Sequence, residues 1–346
     1  MEGVESSATT VVPAGAIILA TRIVPGKTSI NTVPLAINQD LKALLPKGGI
    51  HPPYLLYFLR SIERRFENMG VGSTVKGVTL ETLGRIRVPV PAISEQRRIA
   101  TILDNADTIR RKRHQSLRVL DELPRSSYVE LVGPGNPQHK DWPAYPIAEL
   151  AARHEGAIRT GPFGSALRHS EFSTQGEVAV LGIDNVVGNR FRWHEPRFIT
   201  KARYEAAFRR YTVRPRDVLI TIMGTTGRSA VTPGDLPLAI STKHLAAITP
   251  DSSHIIPEWL SYAIHSDPGV LGQIAAANRG AIMAGLNLGI IKQLKVRVPP
   301  LDLQKVFAHI VTTTHKLRDR LSRADAEDDH LQRSLEQMFF EPSQAG

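Results

Sequence analysis

The side chains in this sequence best suited to chemistry are hydrogen-bonding groups set on loops, with no catalytic neighbours. Arg159, Thr160, Gly161 and Ser165 lie at Gly161-Pro162-Phe163-Gly164-Ser165, a string of turn formers around one aromatic. Thr225, Thr226 and Arg228 follow the apolar run Val218 to Met223, Lys243 follows a second such run, and Asn278 and Arg279 stand at a further loop. Arg203 belongs to the segment Arg190 to Arg228, which holds ten Arg or Lys against Glu195, Glu205 and Asp217. Arg and Lys donate to guanine and phosphate oxygens, while amides and hydroxyls serve either purine, so the set has the chemistry of base edges and phosphates. Each residue alone reads as ordinary exposed polarity; the group carries the argument.

Strings that approach enzyme motifs fail on their own chemistry. His51-Pro52-Pro53-Tyr54 is near the Asn/Asp-Pro-Pro-Tyr/Phe loop that holds an exocyclic amine, but an imidazole is wrong there, and Pro52 reads as a helix start. Gly26-Lys27-Thr28 has the end of a phosphate loop, with Thr21 where that loop requires its first glycine. Asp40-Leu41-Lys42, preceded by Glu2 and Glu5 alone, makes no two-carboxylate nuclease site. No glycine fingerprint for S-adenosylmethionine follows a strand, and no histidine pair has metal spacing. The expectation is a non-catalytic protein with no cofactor and no metal.

Composition narrows the class further. The chain of 346 residues has no cysteine, which excludes disulfides and thiolate zinc sites and fits a reducing cytoplasm. Its formal charge of +10 is common among nucleic-acid binders. The apolar run Val11 to Ala20 is interrupted by Pro13 and Gly15, so neither a signal peptide nor a membrane span is expected.

The elements that must position these loops occur twice. Ile86-Arg87-Val88-Pro89-Val90-Pro91-Ala92-Ile93-Ser94-Glu95-Gln96 aligns with Leu294-Lys295-Val296-Arg297-Val298-Pro299-Pro300-Leu301-Asp302-Leu303-Gln304 at an offset of 208, without a gap. After each break the apolar positions predict a helix, with Ser94 and Asp302 as N-caps and Pro124 ending the first. Ile99, Ile102, Ala106 and Ile109 match Phe307, Ile310, Thr314 and Leu317, and Leu321, Leu331 and Leu335 continue a narrow 3-4 seam. Such a seam predicts a coiled coil, with the other copy as its antiparallel partner. Upstream, Ala16 to Lys27 aligns with Asp217 to Arg228, Pro34-Leu35-Ala36-Ile37 with Pro237-Leu238-Ala239-Ile240, and Pro52 with Pro257. The fold class expected is α+β: two mixed domains, the first partial, separated by two long helices. The boundaries read are a partial first domain (1–90), a first spacer helix (91–132), a Pro/Gly linker (133–146), a second domain (147–298) and a second spacer helix (299–340).

This order of parts resembles the DNA-specificity subunits of type I restriction-modification systems. The residues that carry the resemblance are the repeated Pro-bounded helices, Gly161-Pro162-Phe163-Gly164-Ser165, and Asp217-Val218-Leu219-Ile220 followed by Gly224-Thr225-Thr226-Gly227. The resemblance implies two target-recognition domains, each reading half of a bipartite double-stranded DNA sequence. It also implies helices that dock methyltransferase subunits, to which restriction subunits add. The first domain lacks a counterpart of roughly residues 145–201, so a separately encoded fragment completing it is a further expected partner. A standalone adenine methyltransferase-like enzyme, and a scaffold that no longer reads DNA, stay open as alternatives.

Overall fold

The computed structural model describes residues 11–69, 78–163, 167–278 and 285–340. It divides into two compact units, Met1–Leu117 with Asp319–Gly346, and Arg118–Arg318.

Among its described residues the first unit has five short strands: β1 (Val11–Val12), β2 (Ile17–Ala20), β3 (Thr28–Ile30), β4 (Leu35–Ala36) and β5 (Leu41–Leu44). They form a sheet in the order β3-β2-β5 and a separate β1-β4 pair. Alternation along β2 sorts its side chains by face. Ile17 and Leu19 join Tyr54 and Phe58 of the helix Pro52–Ser61, together with Phe66, Leu103 and Phe340. Ile18 turns the other way, towards Val12 and Ala16.

The second unit holds β6 (Ala144–Pro146), β7 (Ile158–Thr160), β8 (Val178–Leu181), β9 (Val186–Val187), β10 (Arg190–Phe191) and β11 (Phe198–Ile199). It continues with β12 (Thr212–Val213), β13 (Val218–Thr221), β14 (Ser229–Val231), β15 (Ala239–Ser241), β16 (Leu245–Ile248) and β17 (Lys295–Arg297). Two four-stranded sheets, β14-β13-β16-β7 and β11-β8-β15-β12, are its main layers. Leu219, Leu245 and Ala247 of the first pack with Ala179, Leu181 and Val213 of the second. Val218, Ile220, Ala246 and Ile248 face Trp259 and Leu260 of the helix Pro257–Ser266. A sheet covered on both faces explains why these strands are apolar at every position.

The sequence repeat is also a repeat of register. Ile17 pairs with Ile30 and Leu44, as Val218 pairs with Val231 and Ile248. One alignment moves by a residue: Val12 pairs with Leu35 and Val213 with Ala239, so Leu35 corresponds to Ala239 rather than Leu238. Backbone pairing, not side-chain likeness, decides such a register. Among the described residues the first unit has no strands corresponding to β6 through β11.

A buried glutamine locks each repeat. Gln96 Nε2 donates to Gly49 O and Pro91 O at 2.9 and 2.8 Å, and its Oε1 accepts from His51 N at 2.9 Å. Gln304 does the same with His254 O, Pro299 O and Ile256 N at 3.1, 2.9 and 2.9 Å. Both are fully buried, and each ties the start of a long helix to the loop that opens a Pro-initiated helix. Gln96→Ala or Gln304→Ala should each cost about 2–4 kcal/mol, because it strands buried donors and acceptors. Urea denaturation checks this, and an unchanged midpoint would exclude the clamp.

The long helices run Ile93–Ser127 and Leu301–Phe340. Three expectations about them need correction. Ser94 and Asp302 lie inside the first turns rather than at the caps, since Gln96 N already donates to Ala92 O and Gln304 N to Pro300 O. The prolines just ahead hold a helix-compatible φ, so the chain enters the helix earlier. Nor does Pro124 end the first helix. It lies within the helix, which passes into a π-helical turn, Tyr128–Val132, anchored by the buried Tyr128 ring.

The third correction concerns the seam. Ile99 and Phe307 are buried, and Ile102, Ala106, Ile310, Leu321 and Leu335 are half-buried, but Ile109, Leu317 and Leu331 are 53%, 45% and 52% exposed. Between the shared positions the helices turn Leu103, Val311, Arg318 and Gln332 inward instead. Ion pairs make polar inward positions tolerable. Within the first unit Arg113 pairs with Asp328 and Arg110 with Asp329 at 3.9 Å, and the His114 ring lies 3.5 Å from Asp325 between them, an antiparallel sequence of contacts. Within the second unit Arg318 pairs with Asp121.

Candidate nucleic-acid interface

The register of the second unit brings several loops to one end. β16 is antiparallel to both β13 and β7, and β8 is parallel to β15. The ends of β7, β8, β13 and β15 and the start of β16 therefore share an edge. The loops leaving it are Gly161–Phe163, the turn after Thr221 and Thr242–His244, and Gly285 bridges to Met223 beside them. Backbone bonds join them: Ile222 N donates to His244 O at 2.9 Å, Leu286 N to Ile222 O at 2.9 Å, and Thr242 N to Leu181 O at 2.8 Å.

Most of the residues singled out in the sequence meet here. The turn Met223–Arg228 is tight, with Gly224 and Gly227 at φ 77 and 85°, a left-handed conformation that suits glycine. Thr221 Oγ1 braces it by donating to Thr225 O and accepting from Arg228 N. Thr225 and Thr226 are half-buried and Arg228 exposed. Lys243 is half-buried on the adjoining loop. Asn278 Nδ2 donates to Ile274 O at 2.9 Å and its Oδ1 accepts from Gly285 N at 2.7 Å, so the amide ties the end of its helix to Gly285. Ser165 and Arg279 lie outside the described residues.

Thr160 and Gly161 are at this edge but buried. A Cβ on Gly161 would overlap Ser241 O and the Thr242 carbonyl, so this glycine admits the chain's own backbone rather than a ligand. Ser241, Thr242, Phe163 and Met223 also stand at this edge, though none is among the binding residues that the sequence marks out. The Ser241 and Thr242 hydroxyls are buried and find no hydrogen-bond partner among the described residues, while Phe163 is 57% and Met223 41% exposed. Only the fold places them together.

Arg159 and Arg203 go elsewhere. The Arg159 guanidinium is interior: it pairs with Asp217 and donates to Thr212 O at 2.6 Å, Gly156 O at 3.0 Å and Thr249 Oγ1 at 3.0 Å. Asp217 also accepts from Arg214 N at 2.7 Å and Thr249 Oγ1 at 2.6 Å. Burial raises the Asp217 pKa and lowers that of Arg159, each partly offset by the other's charge. Its donors committed, Arg159 is a bracket between β7 and β13. Arg203 lies on the helix Lys201–Ala207, donating to Glu171 at 2.7 Å and standing 4.7 Å over the Phe208 ring. That helix follows β11, which is antiparallel to β8, and so lies at the opposite end.

The first unit repeats part of the edge. Gly26 takes the place of Gly227 at φ 97°, Lys27 that of Arg228, and Ile23 that of Gly224 at φ 64° with 81% exposure. A β-branched residue in this conformation is strained, so Ile23→Gly should raise the stability of the first unit by about 1 kcal/mol, measurable by denaturation. Among the described residues no group of His, Asp and Glu is placed to hold a metal.

A layered α+β scaffold that presents loops at one end and is carried on long helices is the class this architecture defines. The chain belongs to the family described as type I restriction modification DNA specificity domain, whose model matches residues 1–119 and 162–325. It is 31% identical to the specificity subunit of the Escherichia coli type I restriction enzyme EcoR124I/EcoR124II over 137 residues, 37% of this chain and 33% of that one. It is 23% identical to the putative MjaX specificity subunit of Methanocaldococcus jannaschii over 282 residues, 78% of this chain and 63% of that one. The chain thus spans less than two thirds of the curated relatives it matches. The crystal structure of a type I restriction-modification S subunit from M. genitalium shares the fold, with a TM-score of 0.63 at 15% identity, over 96% of this chain and 84% of that one.

Proposed function

We propose that this chain is the non-catalytic specificity subunit of a type I restriction-modification complex, binding double-stranded DNA through loops and methyltransferase subunits through its long helices. The observation that carries the reading is the shared edge, where Thr225, Thr226, Arg228, Lys243 and Asn278 meet on one face of a unit of this family. The threonines serve bases, Arg228 and Lys243 serve phosphate or guanine, and Asn278 braces the edge through its bonds to Ile274 O and Gly285 N. The helical cluster Arg110-Arg111-Lys112-Arg113 plays a smaller part in DNA binding, because three of its four members are paired: Arg110 with Asp107 at 2.9 Å, Arg111 with Asp107 at 3.5 Å, and Arg113 with Asp328. Docking falls to the exposed apolar positions Ile109, Val119, Val306, Leu317, Leu331 and Met338. No helix among the described residues is long and apolar enough to cross a membrane.

The second unit should dominate base readout, because the first has fewer of these loops among its described residues. Base substitutions in the half-site it reads should each cost about 1–3 kcal/mol, up to about a hundredfold, and those in the other half little. Arg228→Ala or Lys243→Ala should lower the dependence of log affinity on log salt by about one counterion each. A binding scan across the target at several salt concentrations, with methyltransferase partners present, measures both. Salt-independent binding, or binding of S-adenosylmethionine by the purified chain alone, would overturn the reading.

A further inference from the structure

We infer that Trp193 is a wedge that stacks on a base of DNA held at the loop edge, so that the second unit selects a duplex step that opens easily. The inference rests on the DNA-binding reading and adds to it a contact outside the loops that carry it.

Register brings Trp193 to that edge. β11 starts where β8 ends, because Phe198 pairs with Ala179 and Val180 N donates to Arg197 O at 2.8 Å. The residues just ahead of β11 therefore lie beside the end of β8, where Leu181 O accepts from Thr242 N. Contacts on both sides of the tryptophan fix it to the turn Ile183–Asn185. Arg192 N donates to Asn185 O at 3.0 Å, and the buried Asn185 returns a bond from Nδ2 to Arg192 O at 2.9 Å. The His194 ring stands 3.8 Å from the Asp184 carboxylate. The Trp193 ring meets that of Phe191 edge to face, with centroids 5.1 Å apart and planes at 87°.

Held in this way, Trp193 is still 53% exposed, whereas Trp142 is 6% and Trp259 0% exposed. A large aromatic that is fixed in place without being buried adds little to the core, and its rigidity favours a contact made from outside. Its neighbours set the charge of the occupant. Arg192 and His194 flank the ring and are exposed, and over residues 190–197 three arginines stand against Glu195. An aromatic interleaved with cations suits nucleic acid better than an apolar protein surface. A flat indole matches the face of a base, which a closed duplex hides. Access requires a step to unstack, and pyrimidine–purine steps do so at least cost.

The test uses the full chain with methyltransferase subunits on its target duplex. The chain is prepared with 5-hydroxytryptophan, which absorbs at longer wavelength than the tryptophans of the partners, and Trp193 is the exposed one of its three. Target duplex should quench the emission and shield it from acrylamide, and Trp193→Phe should remove that change while keeping affinity within about threefold. Trp193→Ala should leave the urea midpoint unchanged and weaken binding about tenfold or more. Its salt dependence should match that of the parent, since an apolar contact releases no counterion. A single mismatch moved along the target should at one position tighten binding by the parent and not by Trp193→Ala, because the step is then already open. Unchanged emission in a specific complex, parent-like affinity of Trp193→Ala, loss of methyltransferase assembly in its place, or a mismatch scan without such a position would each overturn the wedge alone. Absence of specific binding by the parent would overturn the DNA reading along with it.

Discussion

Asp217→Leu should destabilise the second unit by about 3–5 kcal/mol, since it leaves the Arg159 guanidinium buried without a counter-charge. Arg159 is 7% exposed and Asp217 0%, so water cannot substitute for the lost carboxylate. The carboxylate also holds Arg214 N and Thr249 Oγ1, which lose their acceptor at the same time. The double variant Arg159→Met, Asp217→Leu should recover most of the loss, because a buried ion pair replaced whole by apolar side chains is often neutral or better. All three tryptophans, Trp142, Trp193 and Trp259, lie in the second unit, so fluorescence during urea denaturation reports on that unit. A single variant as stable as the parent would refute the bracket. Because Arg159 does not reach the loop edge, DNA affinity should track stability in this series and follow the double variant back.

Leu317→Asp combined with Leu331→Asp should abolish assembly with methyltransferase subunits while leaving the free chain folded. Both side chains are about half exposed, so their loss within the free chain should change stability by roughly 0.5 kcal/mol or less. Covered by a partner, each half-exposed leucine would contribute about 0.7–1.5 kcal/mol, and an unpaired carboxylate buried in its place would add about 2 kcal/mol or more. The combined effect exceeds a thousandfold in affinity. Leu103→Asp is the contrast: Leu103 is 0% exposed in the core of the first unit, and that variant should unfold the unit rather than merely lose a partner. Sedimentation of the chain with its methyltransferase separates the cases. Wild-type assembly by the double aspartate variant would move docking away from these helices.

The helix seam shows where sequence periodicity is informative and where it stops. A 3-4 and a 4-3 spacing share every second position, and Phe307, Thr314, Leu321 and Leu335 belong to both. Hydrophobicity prefers Leu317 over Arg318 and Leu331 over Gln332. The fold turns the polar member of each pair inward, and for Arg318 Asp121 supplies the partner. Ion pairing between residues so far apart in sequence leaves no local trace, so only the assembled helices reveal it.

What the sequence determined by itself is the repeat and its consequences: mixed strands and helices in duplicate, helix starts at Pro52 and Pro257, the turn formed by Gly224 and Gly227, and the family. These depend on local rules, such as the fixed φ of proline, the left-handed freedom of glycine and the period of apolar residues, which a linear chain displays directly. The tertiary structure alone decided which polar residues face outward. Arg159 and Arg228 look alike in sequence, each a cation beside a glycine-containing loop, yet the first is consumed by Asp217 across a sheet and the second is exposed. The difference arises from strand register, which places Arg159 opposite Ala247, within reach of Thr249 and Asp217. Register is a pairing between distant segments, and no neighbourhood in the sequence encodes it.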